Sequence, residues 1–192
     1  MWTRLSSLLF LAQLFCGIGE HVPLADSDCV CTTVDCPAVG KNPIVMGNGY
    51  AHITYTYEKH NQYNVVSYVT GEITPESLDT GTETTSCTRK YSRMLEDDGE
   101  QSCDAGHILA RRLGGYGNLP MNIFPQNSTI NEGIFSQFEG KIYDCTKNGT
   151  KTTYLTWVFD YESDQHTMPY QVTYSASFEG GTCDDFSSSF PN

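Results

Sequence analysis

Positive charge is scarce in this sequence. Lys and Arg number 11 against 23 Asp and Glu, so the formal net charge is −12. A surface that acidic does not hold nucleic acid by unselective attraction over its whole area, so any grip on a polyanion has to come from a local basic cleft. Charged residues make up only 18% and hydrophobic ones 39%. That balance excludes a disordered chain and fits a globular one. After the first 19 residues no apolar run is long enough to span a bilayer. No repeat and no clear linker divides the chain. No His or Cys-x-x-Cys follows Cys29, Cys31 and Cys36 at zinc-finger spacing, which sets zinc well behind disulfides as a use for these thiols.

At the N-terminus, residues 1–19 have the make-up of a secretion signal. Arg4 supplies the positive start, Leu8 to Phe15 the short apolar stretch, and Gly17 and Gly19 the small residues before cleavage at Glu20. The mature chain is therefore expected to be soluble and extracellular, with no membrane partner. Cys16 leaves with the leader. Seven thiols remain, namely Cys29, Cys31, Cys36, Cys87, Cys103, Cys145 and Cys183. In an oxidising compartment they read as a disulfide framework. Their odd number fits a monomer with one thiol over or a disulfide-linked dimer. Asn127 and Asn148 each open a glycosylation sequon, and Asn148 is the better placed.

The 192 residues suffice for one domain. Residues 20–48 read as a cysteine-containing, loop-like arm, and residues 49–192 as the main domain. Within it, Tyr50–Glu58 and Tyr63–Ile73 alternate like paired strands. Thr74–Thr85 reads as an exposed loop. Gly106–Leu113 is expected to be a strand and Leu119–Pro125 extended. Ser128–Tyr143 is expected to be one helix whose face carries Asn131, Ile134, Phe135, Phe138 and Ile142, with Glu139 at its edge. Lys151–Glu162 and Tyr170–Glu179 read as strands, and the tail after Gly180 as polar and loose.

The chemistry-bearing residues lie between Asp104 and Cys145, in a fixed order of imidazole, amide and carboxylate. A neutral His107 can accept a proton from water near pH 7. Asn131 offers a neutral oxygen ligand, which leaves a magnesium ion its full charge for polarising a phosphodiester. Glu139 can orient waters around such an ion. Asn122 and Gln126 flank Pro125 and can pin a metal loop, a phosphate or the loop backbone. Each residue also has an ordinary use open to it: Asn131 as a helix cap, Glu139 as a solvated carboxylate, His107 as a structural imidazole.

Asp104-Ala-Gly-His107, Asn122-Ile-Phe-Pro-Gln126 and Asn131-x7-Glu139 together resemble the sugar-nonspecific DNA/RNA endonucleases. The run from Gly106 to Gly115 is similar to the branch of that family found in secreted toxins. The resemblance implies an α+β fold of the ββα-metal type, an antiparallel sheet with one main active-site helix. It also implies hydrolysis of DNA and RNA with little sequence specificity, with magnesium or manganese as cofactor. Carried over by position, His107 is the general base, Asn131 the metal ligand, Glu139 the carboxylate beyond the metal's direct ligands, and Asn122 the supporting amide. Ala105 stands where the family often has a phosphate-holding arginine, and Tyr143 where some members have another. Arg111 and Arg112 are the nearest substitutes for binding substrate, followed by Arg89, Lys90 and Arg93. The alternative from a different class is a non-catalytic, disulfide-stabilised secreted binding module on the same fold.

Overall fold

The structure is a computed structural model that describes residues 37–95, 103–181 and 183–192. The expected leader and Cys29, Cys31 and Cys36 lie outside the described residues.

Among the described residues, eight strands and three α-helices follow in chain order: β1 (Gly40–Met46), β2 (Ala51–His60), β3 (Tyr63–Ile73), α1 (Ser86–Met94), β4 (Cys103–His107), β5 (Ile123–Asn127), α2 (Ser128–Ile130), α3 (Ser136–Lys147), β6 (Thr152–Asp160), β7 (Gln171–Glu179) and β8 (Phe186–Pro191). Six strands form one antiparallel sheet in the order β1-β2-β3-β6-β7-β8, and β4 and β5 form a separate hairpin. Period-two alternation decides which face is buried. Ala51, Ile53, Tyr55 and Tyr57 on β2, Leu155, Trp157 and Phe159 on β6, and Val172, Tyr174 and Ala176 on β7 all join one core. Tyr68, Tyr154 and Val158 point the other way and are exposed, as one solvated face of an antiparallel sheet allows.

The helices and the β4–β5 hairpin cover the inner face. Phe135, Phe138 and Ile142 are buried there, and the rings of Phe135 and Phe138 lie 4.9 and 5.3 Å from that of Phe190 on β8. Helix α1 starts at a reciprocal cap, in which Thr85 and Thr88 each bind the other's backbone N–H. It packs Tyr91 against Val65, Leu95 and Ile123.

Several elements differ from the sequence reading. The part of the arm from Gly40 to Met46 is an edge strand paired with β2. The strand expected over Gly106–Leu113 ends at His107, and Ile108, Leu109 and Leu113 fill the core from a loop. The expected single helix is broken by a π turn, Asn131–Phe135, where Gly133 leaves helical geometry at φ −99 and ψ −111. The wider turn rotates Ile134 away from the core face, and it is 48% exposed. The tail is not loose. β8 pairs with β7, Cys183 is bonded to Cys145, and the side chain of Asn192 donates to the carbonyls of Pro125 and Pro169. Its composition is polar because the strand lies at the sheet edge, where only alternate residues need to be apolar.

Candidate active site

The hairpin and the helix after it carry the candidate residues. β4 ends at His107, opposite Ile123 on β5, and β5 runs directly into α2. Asn127 makes that junction sharp, its side-chain oxygen accepting from the N–H groups of Thr129 and Ile130.

Gly106 has no side chain for a packing reason. A Cβ there would lie 2.2 Å from Oε1 of Gln126, which reaches across the strand at that point. Gly117 is constrained in the same way, since a Cβ would lie 2.5 Å from Nε2 of His107. These two glycines leave the space that the imidazole and the carboxamide occupy beside the backbone.

His107 meets the chain where the sequence offered no signal. Its Nε2 lies 3.1 Å from the carbonyl oxygen of Thr82, in the segment read as an exposed loop. A carbonyl only accepts, so Nε2 carries the proton and Nδ1 is left with its lone pair. Burial lowers the His107 pKa, aided by the Arg111 charge, while the Thr82 contact and Glu83 oppose the shift. The net effect favours the neutral imidazole. No hydropathy pattern marks a loop carbonyl as an imidazole's partner, so Thr82 was not legible.

Asn122 is fully buried. Its oxygen accepts from Tyr55 Oη and from the Leu109 N–H, both at 2.8 Å, and its nitrogen donates to the Leu109 carbonyl at 3.0 Å. It therefore closes the loop that follows His107. Gln126 is also buried, and its Oε1 has no hydrogen-bond partner.

Asn131 sits at the start of the π turn and donates from Nδ2 to Asp104 Oδ2 at 2.9 Å. That bond occupies the amide nitrogen and leaves Oδ1 as the oxygen available to a ligand. No hydrogen bond or ion pair among the described residues joins His107 to Asn131 or Glu139. Asp104 links them indirectly, because it holds Asn131 and stands three residues from His107 on β4, a strand distance of roughly 10 Å.

Glu139 is half-buried by area, but protein crowds its carboxyl. Burial raises its pKa to about 8, and the Arg112 guanidinium opposes the rise. Buried Tyr174 lies close enough for the Glu139 charge to push its own pKa higher, and its hydroxyl has no hydrogen-bond partner. Arg111 and Arg112 are both exposed. Arg111 pairs with Glu83 at 2.5 Å, and the Arg112 guanidinium stands 5.6 Å from the centre of the Tyr143 ring. Asp79, Arg111, Arg112, Tyr143 and Asp144 line a cleft of about 560 Å³.

The donor set suits a hard divalent cation. Asn131 has its amide nitrogen taken by Asp104, which leaves a neutral oxygen, Gln126 Oε1 is a buried oxygen without a partner, and Glu139 adds a carboxyl group. Among the described residues no group of three or more His, Cys, Asp or Glu side chains forms a metal cluster.

A probable deoxyribonuclease RhsA of Dickeya dadantii (strain 3937) is 34% identical over 108 residues, which are 56% of this chain and 7% of that protein. The chain thus spans a small part of that relative's length. A chain from the crystal structure of the EndoG/EndoGI complex superposes with a TM-score of 0.52 at 13% identity, over 81% of this chain and 75% of that one. NucA from Streptococcus agalactiae, with no metal bound, gives 0.46 at 14% identity over 83% and 84%. The likeness to the EndoG complex shows the fold, α+β of the ββα-metal type with an antiparallel sheet. The model of one family, described as DNA/RNA non-specific endonuclease, matches residues 45–177, which takes in β4, β5 and α3. The chain belongs to the DNA/RNA non-specific endonuclease family.

Proposed function

We propose that this protein is a secreted, magnesium-dependent endonuclease that hydrolyses phosphodiester bonds of DNA and RNA with little sequence preference, and that manganese serves in place of magnesium. The observation that carries the reading is the held imidazole. His107 is backed by the Thr82 carbonyl, kept neutral by burial, and followed by a loop that Asn122 pins from below. Nδ1 of His107 takes a proton from water, and the hydroxide so formed attacks phosphorus. Arg111 and Arg112 hold the phosphate oxygens, with the substrate displacing Glu83 from Arg111. Asn131 Oδ1 would hold the metal, and Glu139 would orient the waters around it. When bound, the ion polarises the phosphodiester and stabilises the departing oxygen. Asp104 fixes the Asn131 amide so that oxygen, not nitrogen, is presented. The Cys145–Cys183 disulfide fits an oxidising, extracellular location.

The test is plasmid nicking and RNA cleavage by the full chain, with magnesium and with chelator. His107→Ala should slow cleavage by about 10²–10⁴-fold while the circular dichroism spectrum is kept. Chelator should abolish cleavage, and added magnesium should restore it. Full activity in the His107 variant, or cleavage indifferent to chelator, overturns the reading. Binding without any cleavage would favour the non-catalytic module.

A further inference from the structure

Helix α3 carries a row of residues of which the chemistry above uses only the first. Glu139, Tyr143 and Lys147 recur at four-residue intervals and so share one face, with Lys147 about 12 Å along the axis from Glu139. Two cations converge on the middle residue. The Arg112 guanidinium lies 5.6 Å from the Tyr143 ring centre and the Lys147 ammonium 5.5 Å from it. The ring is itself fixed, because its hydroxyl donates to Asp79 at 2.6 Å. Gly140 leaves room for the arrangement, as a Cβ there would lie only 3.3 Å from Arg112 Nη1. Arg112 and Lys147 are exposed. A pair of solvated cations around an anchored ring is a notable concentration in a chain of net charge −12.

Resting on the nuclease reading, we propose that Lys147, which meets Arg112 at the Tyr143 ring, forms a phosphate subsite that grips the nucleic-acid backbone further along the strand from the phosphate held by Arg111 and Arg112. The reach suits it, since the two cations each lie within 5.6 Å of one ring centre and so stand at most about 11 Å apart, a span of up to roughly three nucleotides of a strand rising ~3.4 Å per nucleotide. Tyr143 is a positioning residue that keeps both cations at the cleft rim. Asp79 and Asp144 line the same cleft and keep the grip shallow, which limits binding to a backbone that also engages the site at Arg111.

The experiment is fluorescence anisotropy of a labelled 20-base-pair duplex with the full chain, in chelator so that nothing is cut, across a salt series. Replacing Lys147 by Gln should weaken binding by about fivefold at low salt and reduce the slope of log K against log salt by about 1. The Arg112→Gln/Lys147→Gln pair should reduce it by about 2. Lys147→Arg should keep the wild-type slope, which a purely structural role for Lys147 would not require. If the double variant does not fold, the exposed Lys147→Gln decides alone. An unchanged slope and affinity, or a wild type that does not bind, overturns the subsite. Wild type that binds with the expected slope but fails to nick plasmid when magnesium is added would sink the nuclease reading and leave the subsite standing. Active wild type with an unaltered slope in Lys147→Gln would do the reverse.

Discussion

Asn122 shows how much one buried amide can decide. It joins Tyr55 on the large sheet to both backbone groups of Leu109, two residues after His107. Asn122→Ala should leave a buried N–H, a carbonyl and a phenol without partners, and lower stability by about 3 kcal/mol in urea unfolding. Cleavage should fall as well, because the loop that carries Arg111 loses its anchor. Glu139 gives a second residue-scale prediction. Its pKa near 8 in the fold stands above the ordinary 4.5, so the folded state keeps a proton that the unfolded chain releases between those values. The resulting stability is fully present below pH 4.5 and is lost as pH rises towards 8. In metal-free protein the urea midpoint should fall across that window, and Glu139→Gln should flatten the fall. Magnesium binding near neutral pH should expel protons, measurable as a buffer-dependent heat in titration calorimetry. A heat independent of buffer would show that Glu139 is already ionised.

Among the elements, α3 bears the most. It is tied to the β8 end of the sheet by the Cys145–Cys183 bond, which closes a separation of 38 residues. Cys87 is disulfide-bonded as well. By loop entropy the Cys145–Cys183 link stabilises the fold by about 4 kcal/mol, and Cys145→Ser/Cys183→Ser should lose an amount of that order in denaturant unfolding. A loss under about 1 kcal/mol would mean that Phe138 and Phe190 already hold the helix down without it. The two parts of the expected single helix fared differently. Phe135, Phe138 and Ile142 have helical spacing and are buried. Ile134 has a place in the same pattern but faces solvent, because the π turn at Gly133 inserts extra backbone. Periodicity reports a regular helix, and a wide turn is invisible to it until packing selects the phase.

At the scale of the whole molecule, charge is the organising constraint. With a net charge of −12 the distant field repels nucleic acid, and Arg111, Arg112 and Lys147 offer short-range attraction beside the cleft. Three phosphate contacts predict a slope of about −3 for log kcat/KM against log salt. A slope steeper than about −6 would reveal a wider basic footprint than these residues provide. The strands β2, β3, β6 and β7 were legible because alternation survives in any sheet with one wet face. The edge strands β1 and β8 were not, because pairing on one side lets Pro43, Pro191 and several serines stand in a strand.

By itself the sequence determined the spacing of His107, Asn122, Asn131 and Glu139, the acidic balance and the alternation of the central strands, since all of these are written in residue order. Only the tertiary structure decided that Thr82 backs His107, that Asp104 orients Asn131, that Asn122 faces inward to the Leu109 loop, and that Arg112 and Lys147 meet at Tyr143. Those are contacts between segments far apart in the chain. Their partners are backbone atoms or side-chain tips whose positions depend on how the sheet, hairpin and helix close around one core, and no local pattern encodes that closure.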